Sequence, residues 1–313
     1  MDAPTALPLP SIVRATGAAL DGALTAAGWP PRLEADARAV LAHQERLLGG
    51  RLTPWVLFPV AACVAVGGDW PAAIPAAAAC EILGAAADLF DDVEDGDPSD
   101  DLRRLGPALC TQLAASLLAL MARSLAVDGP AGARAEQVLW RGLLRAAGGQ
   151  YQDLATGDDP AALGPEDCLE IARLKSGALT AACMTAGAVY GTNDPALHEA
   201  VWAFGERLGL YHQLINDARD ARDAAPKADR GRGAPTLALA AAGRAAAQGH
   251  PSDIGAAVCY AYALAERARA DALIADLAPL CPQPAAAAAC LGLLLKQEDA
   301  GGAATGGVDG MVG

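Results

Sequence analysis

The chain has 313 residues, of which 53% are hydrophobic and only 4% aromatic, and its formal net charge is −14. This acidic balance argues against nucleic acid as a partner and against adsorption to anionic lipid, because both select basic surfaces. Alanine, leucine and glycine outnumber β-branched residues, a composition that favours helices over sheets.

Cysteine usage and the apolar segments indicate the cellular context. The eight cysteines are spread singly with no C-x-x-C pair, which predicts buried free thiols in a reducing cytosol. The N-terminal residues MDAPTALPLPSIVRATG lack the order of a signal peptide. The most apolar stretches are short or interrupted, so no membrane span and a cytoplasmic location are expected.

Apolar residues recur at helical spacing along almost the whole chain, with short breaks rich in Gly, Pro and Asp. In chain order, this pattern predicts helices at 11–27, 33–48, 53–66, 72–95, 102–127, 131–155, 165–190, 195–223, 235–247, 252–276 and 283–296. No linker divides them, so one all-α domain is expected over 1–297. The Gly-rich segment 298–313 is predicted to be a disordered tail.

The segment DDVED ends the predicted helix 72–95 with a dense acidic cluster. Asp91 and Asp95 are one helical turn apart, Asp92 can share their face, and Asp88 lies one turn earlier. Carboxylates at this spacing repel one another. An isolated cluster of this kind can be an ordinary solvated helix end, but the arrangement also suits a bound cation.

A second cluster occurs in LYHQLINDARDARD, within the predicted helix 195–223. Asn216 and Asp220 are one turn apart, and Asp217 is three residues before Asp220. Two such helix ends facing each other form a pocket of oxygen ligands. Mg²⁺ prefers this kind of site when a substrate phosphate supplies further oxygens.

Basic residues accompany both clusters, and they are Arg103, Arg104, Lys175, Arg219, Arg222, Lys227, Arg230 and Arg232. A diphosphate requires both a divalent cation and fixed donors as charge builds on it. The combination of acidic clusters and interleaved cations therefore predicts a diphosphate site.

Six segments resemble, in order, the landmarks of the trans-isoprenyl diphosphate synthase (polyprenyl synthetase) family. They are GGRLTP, DDVED with the following RRLG, GGQYQDL, LKSGALTAACMTAGAVYG, HQLINDARD and KADRGRGAPTL, over most of residues 40–240. The resemblance implies an all-α isoprenoid synthase (class I terpenoid synthase) bundle around a deep central cavity, usually a homodimer. It also implies a Mg²⁺ cluster that ionises an allylic prenyl diphosphate to a carbocation.

The resemblance also assigns roles to individual residues. The implied metal ligands are Asp91, Asp92 and Asp95 on one wall and Asn216, Asp217 and Asp220 on the other. The residues implied to grip the diphosphate are Arg104, Lys175 and Lys227, and Gln213 is implied to face the cavity. Asn216 stands where the family usually has Asp, which moves the second motif towards that of class I terpene cyclases.

The departures from the family pattern lie where chain-elongating members bind isopentenyl diphosphate, their second substrate. A lysine is missing before Arg51, Thr53 replaces an arginine, and Gly84 replaces a histidine. Ala234 replaces a late lysine, for which Arg232 is the nearest substitute. Each lost charge-assisted hydrogen bond weakens binding by about 1.5–3 kcal/mol, so the acceptor site is expected to be weakened.

The preferred prediction is therefore cyclisation of a geranylgeranyl-sized or longer substrate, as in a class I terpene synthase. The first alternative is chain elongation with isopentenyl diphosphate, held by Arg51, Arg104 and Arg232. Prenyl transfer to another acceptor, such as an indole or peptide side chain, and a non-catalytic partner subunit are the remaining alternatives.

Two further features bear on the substrate. By the resemblance, Ala86 and Ala87, one turn before the first motif, leave the cavity floor open to a long chain; alternatively they allow close helix packing. His212 precedes Asn216 by one turn, so it is a candidate to accept the terminal proton from a carbocation or to hydrogen-bond a neighbouring carboxylate.

Overall fold

The structure, a computed structural model, describes residues 7–43, 46–96, 99–156, 163–222, 237 and 251–300. Its α-helices are α1 (Leu9–Ala26), α2 (Pro31–Leu41), α3 (Pro54–Ala65), α4 (Ile74–Asp95), α5 (Asp100–Leu105), α6 (Pro107–Ala126), α7 (Gly129–Thr156), α8 (Pro165–Ala172), α9 (Ala178–Gly191), α10 (Pro195–Arg222), α11 (Pro251–Leu277) and α12 (Pro284–Ala300). Short 3₁₀ turns occupy Leu47–Gly49, Trp70–Ala73 and Ala278–Leu280. Within the described ranges there is no β-strand, which confirms the all-α prediction.

The two helices that carry the acidic clusters begin and end close to their predicted bounds. Helix α4 was predicted at 72–95 and spans Ile74–Asp95. Helix α10 was predicted at 195–223 and spans Pro195–Arg222. In both, a proline at the first or second position starts the helix, since its missing N–H would have no intrahelical partner there.

Three predicted helices are shorter or interrupted. The helix predicted at 33–48 ends at Leu41. The helix predicted at 102–127 breaks at Gly106, whose φ of 78° is left-handed and which precedes the Pro107 that begins α6. The helix predicted at 165–190 contains a π-helical turn, Arg173–Gly177, between α8 and α9.

The C-terminal part of the chain differs from prediction at its end. Helix α12 continues to Ala300, so residues 298–300 are helical and are not part of a disordered tail. The rest of that segment, 301–313, and all of the helix predicted at 235–247 except Leu237 lie outside the described residues.

Helix α9 is the centre of the bundle and packs against α3, α7 and α10. Glycines allow the close approach: a Cβ on Gly187 would lie 2.0 Å from the carbonyl oxygen of Pro59, and one on Gly205 would lie 2.7 Å from Cα of Ala181. Helix α4 packs against α1, α3 and α6. This close packing fixes α4 and α10, and with them the two acidic clusters, relative to α9.

All eight cysteines are free and buried, as predicted. Two helical segments, Trp70–Glu94 and Pro107–Ala126, are long and apolar enough by length and composition to cross a membrane. Their most apolar windows are 72% and 44% buried within the bundle. Core helices of globular proteins meet the same criteria, so these segments are weak evidence for a membrane span.

Candidate active site

The first acidic cluster lies at the C-terminal end of α4, which closes at Gly96 with a φ of 66°. Asp91 and Asp92 therefore lie near the negative end of the helix dipole, where carboxylates are unfavourable. Asp95 is the last residue of α4, and its side chain is outside the described part. An unfavourable concentration of acid at a helix end indicates a function other than stability.

A lysine on the π-helical turn meets this cluster. The Nζ atom of Lys175 lies 2.7 Å from Oδ2 of Asp153 and 3.9 Å from Oδ1 of Asp91. Asp153, on α7, is buried. π-Helical turns are frequent at functional sites because the extra residue re-aims side chains. The buried carboxylate of Asp153 thus holds the Lys175 ammonium beside the first cluster.

Helix α7 also contacts the first cluster through Gln150, which lies about one turn before Asp153. The Nε2 atom of Gln150 donates to Oε2 of Glu94 at 2.9 Å and lies 3.4 Å from Oδ1 of Asp91. Gln150 and Asp153 are three residues apart and so share one helix face. This face of α7 fixes the orientation of the carboxylates at the end of α4.

The second acidic cluster is joined to the π-helical turn by a hydrogen-bonded chain. Ser176 Oγ donates to Oε1 of Gln213 at 2.5 Å, and Gln213 Nε2 donates to Oδ1 of Asp217 at 2.9 Å. Burial raises the pKa of Asp217 to about 6, while the Gln213 hydrogen bond and the Lys175 charge act in the opposite direction. Lys175 therefore acts electrostatically on both clusters, which face it from α4 and α10.

The remaining residues predicted on α10 occupy different environments. Asn216 and Asp220 are exposed, as expected for ligands at a cavity mouth. His212 is half-buried, with its ring edge-on to Phe58 and Tyr211 at centroid distances of 5.9 and 5.5 Å. Lys227 and Arg232, both predicted to bind diphosphate, lie outside the described residues.

A cavity of about 500 Å³ opens beside the first cluster. Asp88, Asp91 and Asp92 line one wall, and residues between α2 and α3 line the opposite wall. The side chains of Asp88 and Asp91 are 60% and 55% exposed because they face this space. Desolvation by the protein behind them, with a smaller contribution from neighbouring carboxylates, raises the pKa of both carboxyl groups, to about 6 for Asp88.

The side chains opposite the cluster explain the departures from the family pattern. Thr53 is buried, where its Oγ1 caps α3 by accepting from the N–H of Val56 and donates to Oε2 of Glu81 at 2.5 Å. The indole of Trp55 lies against Gly84, where a Cβ would be only 2.5 Å from its Nε1. The hydroxyl of Thr53 therefore makes its hydrogen bonds within the protein, and Trp55 occupies the space beside Gly84.

The arginines at this cavity differ from those predicted. Arg46 and Arg103 line it. Arg104, predicted to grip the diphosphate, instead pairs with Asp36 at 2.6 Å and Asp101 at 2.8 Å and is absent from the lining. Arg51 is exposed and also absent from the lining. Sequence reasoning missed Arg46, because no motif includes it.

The donor set allows one kind of metal site. Across the described ranges, no three His, Cys, Asp or Glu side chains are grouped closely enough to hold a metal ion by themselves. Asp91 and Asp92 nevertheless fit Mg²⁺, which binds through one or two carboxylates together with waters and substrate phosphates. The residues thus suit a metal shared with a diphosphate and do not form a closed structural site.

The described residues form an all-α bundle, and acidic clusters on two of its helices face a lysine that is paired with a buried carboxylate. This is the architecture of an isoprenoid synthase. The comparisons with known proteins agree. The polyprenyl synthetase family model matches residues 39–238. The chain therefore belongs to the polyprenyl synthetase family, which confirms the resemblance found in its motifs.

Two curated relatives are similar over part of the chain. Geranylgeranyl diphosphate synthase of Mycobacterium tuberculosis is 33% identical over 164 residues, which are 50% of this chain and 47% of the relative. Chloroplastic geranylfarnesyl diphosphate synthase of Leucosceptrum canum is 31% identical over 224 residues, 66% of this chain and 59% of the relative. The chain thus spans about half to three fifths of the length of these relatives.

Solved structures share the fold along nearly the whole chain. A polyprenyl synthetase from Streptomyces coelicolor superposes with a TM-score of 0.74 at 21% identity, covering 92% of this chain and 98% of the other. A polyprenyl synthase from Caulobacter crescentus, complexed with calcium and isoprenyl diphosphate, gives 0.73 at 23% identity, covering 94% and 98%. These similarities confirm the predicted isoprenoid synthase fold.

Proposed function

We propose that this protein is a Mg²⁺-dependent prenyltransferase that extends an allylic prenyl diphosphate with isopentenyl diphosphate. The observation that carries the proposal is the cavity beside Asp91 and Asp92, because its lining includes two arginines, Arg46 and Arg103. Chain elongation requires a second anion next to the first. The similarity to two prenyl diphosphate synthases also favours elongation over the cyclisation preferred from sequence.

The residues around the first cluster suit ionisation of the allylic substrate. Bound Mg²⁺ would neutralise the charge that develops on the departing diphosphate. Asp91 and Asp92 would hold that ion, and Lys175, positioned by Asp153, would donate to the diphosphate oxygens. Donors fixed in advance stabilise developing charge without reorganisation, and this is usually a large catalytic contribution.

We propose a long product, geranylgeranyl-sized or larger. The cavity lining contains Ala85 and Leu89 and no aromatic residue of α4. Ala86 is fully buried in the core and does not line this cavity, so the open floor expected at that position has no support here. The products named for the two curated relatives, geranylgeranyl and geranylfarnesyl diphosphate, support the assignment of length.

Cyclisation of the allylic diphosphate is the second candidate, favoured by one observation. The rings of Trp55, Phe58, His212 and Tyr211 form a row of edge-on contacts with centroid separations of 6.5, 5.9 and 5.5 Å. Aromatic faces can stabilise a carbocation, but of this row only Trp55 lines the cavity, and Phe58 and Tyr211 are buried. His212 is a candidate to remove the proton of the carbocation.

The experiment measures diphosphate release with Mg²⁺ from geranyl, farnesyl, geranylgeranyl and geranylfarnesyl diphosphate. Each substrate is incubated with and without isopentenyl diphosphate, and products are identified by gas chromatography–mass spectrometry before and after phosphatase treatment. Longer prenyl alcohols that require both isopentenyl diphosphate and phosphatase would support elongation. Hydrocarbon formed without isopentenyl diphosphate would contradict it and support cyclisation.

We further propose that the protein acts in the cytoplasm as a homodimer of single-domain chains. Trp140, Leu144 and Tyr151 are 40%, 79% and 74% exposed along α7, at spacings that place them on one side of the helix. An apolar stripe of this kind supports association between chains. Light scattering after size exclusion tests the dimer, and a monomer at micromolar concentration would contradict it.

A further inference from the structure

Arg46 is a largely buried cation that no family motif of this sequence includes. It lies just before the Leu47–Gly49 turn, and its side chain is 11% exposed. One end of its guanidinium group is 3.8 Å from Oε1 of Glu81, which is fully buried. The other end pairs with Asp88 at the cavity wall. Glu81 therefore contacts Arg46 on the side of the core, and Asp88 pairs with it on the side of the cavity.

The two carboxylates restrain Arg46 unequally. Glu81 also accepts from the backbone N–H of Leu47 at 3.2 Å and from the hydroxyl of Thr53. A carboxylate that is fully buried and satisfied by several donors is fixed in position. Asp88 is 60% exposed and faces the open space of the cavity, so its side chain can turn away from Arg46 without disturbing the core. An incoming anion can therefore replace Asp88 at the guanidinium but cannot displace Glu81.

The position of Arg46 relative to the metal-binding cluster is favourable for a second substrate. Asp88 lies one helical turn before Asp92 on α4, so their Cβ atoms are about 5–6 Å apart. Arg46, Asp88 and Asp92 all line the same cavity. An anion that takes the place of Asp88 at Arg46 would lie next to an allylic diphosphate held at Asp91 and Asp92.

We propose that Arg46 binds the diphosphate of isopentenyl diphosphate, and that Asp88 competes with that diphosphate for the guanidinium group. The inference rests on the proposed chain elongation and adds two specificity-determining residues to it. Arg46 compensates for Thr53, whose hydroxyl is committed to Glu81, and for the lysine missing before Arg51. The guanidinium suits this role because it binds phosphate oxygens in a bidentate manner.

The test compares variants by steady-state kinetics with Mg²⁺ and saturating farnesyl diphosphate. Arg46→Gln is expected to raise KM for isopentenyl diphosphate about tenfold to a hundredfold, since it removes a hydrogen bond between charged groups. KM for farnesyl diphosphate should stay unchanged. Arg46→Lys, which keeps the charge, should fall between the two. A KM for isopentenyl diphosphate within twofold of the wild type in Arg46→Gln would overturn the inference.

Two further variants separate a binding role from a structural one. Asp88→Asn leaves Arg46 in place without its competitor and should lower KM for isopentenyl diphosphate about twofold to fivefold; an unchanged or higher KM would contradict the competition. Arg38→Gln is the matched control. Arg38 also pairs with two carboxylates, those of Asp21 and Glu34, but does not line the cavity, so its KM values should not change.

Calorimetric titration of isopentenyl diphosphate into the full chain distinguishes failure of this inference from failure of the proposed function. If the wild type releases diphosphate but never extends the chain, elongation is wrong. Under that outcome, binding by the wild type that is lost in Arg46→Gln still supports the role of Arg46. No heat of binding in the wild type would overturn both.

Discussion

Replacing Gly84 by alanine tests how tightly Trp55 packs against α4. A Cβ at residue 84 would lie 2.5, 2.6 and 2.7 Å from Nε1, Cδ1 and Cε2 of the indole, and overpacking of this kind costs about 1–3 kcal/mol. Alanine is about 1 kcal/mol more favourable than glycine inside a helix. The Gly84→Ala variant is therefore expected to lower the free energy of unfolding by between zero and about 2 kcal/mol.

Urea unfolding followed by circular dichroism measures this change. Gly22→Ala is the control, because beyond the local backbone of α1 no atom lies within 4 Å of a Cβ at that position; it should raise the free energy of unfolding by about 0.5–1 kcal/mol. In a Trp55→Ala background the clash is absent, so Gly84→Ala should also become stabilising. Equal effects of Gly84→Ala in the two backgrounds would refute the reasoning.

Three more predictions concern the acidic clusters and Lys175. Asp92→Asn is expected to lower Mg²⁺-dependent diphosphate release at least about a hundredfold without changing thermal unfolding, and near-normal release would contradict the metal role. Lys175→Gln should raise KM for the allylic diphosphate about tenfold or more; an unchanged value would show that the lysine does not contact substrate. The pKa of Asp217, raised by burial from its ordinary value near 4 to about 6, means that the folded state binds this proton more tightly than the unfolded chain. With divalent cations removed by EDTA, the contribution of Asp217 to the free energy of unfolding should therefore be complete below about pH 4 and lost as the pH rises through about 6. Urea titrations of Asp217→Asn over the same pH range should lack that loss.

Much of the fold was predictable because helical periodicity and local chain breakers determine it. The bounds of α4 and α10 follow from apolar spacing with a proline near the start. The interruption at Arg173–Gly177 was not predictable, since a π-helical turn leaves the apolar pattern almost unchanged. It depends on tertiary contact: a Cβ on Gly209 of α10 would lie 2.5 Å from the carbonyl oxygen of Ser176.

The candidate site was predictable to the extent that short motifs determine it. Asp91, Lys175, Gln213 and Asp217 each belong to a motif, and the structure brings their side chains into one network. The partners of Arg46 were not predictable, because the arginine and Asp88 are 42 residues apart. Sequence comparison shows that a donor is missing, whereas only the folded chain shows which side chain lies in its place.

The number of donors at the acceptor cavity bears on the choice between elongation and cyclisation. Relative to the family pattern, the described part of this cavity lacks a lysine, an arginine at Thr53 and a histidine at Gly84, while Arg46 and Arg103 line it. Arg103 is already paired with Asp100 at 2.7 Å, but both side chains are more than half exposed, so that pair is weak and exchangeable. His43 also lines the cavity and can donate a hydrogen bond, so these three residues offset part of the loss of three donors. Each donor that is not replaced weakens binding of isopentenyl diphosphate by about 1.5–3 kcal/mol, or about tenfold to a hundredfold. A cellular concentration above KM can offset such a loss, and so an acceptor site changed in this way remains compatible with chain elongation.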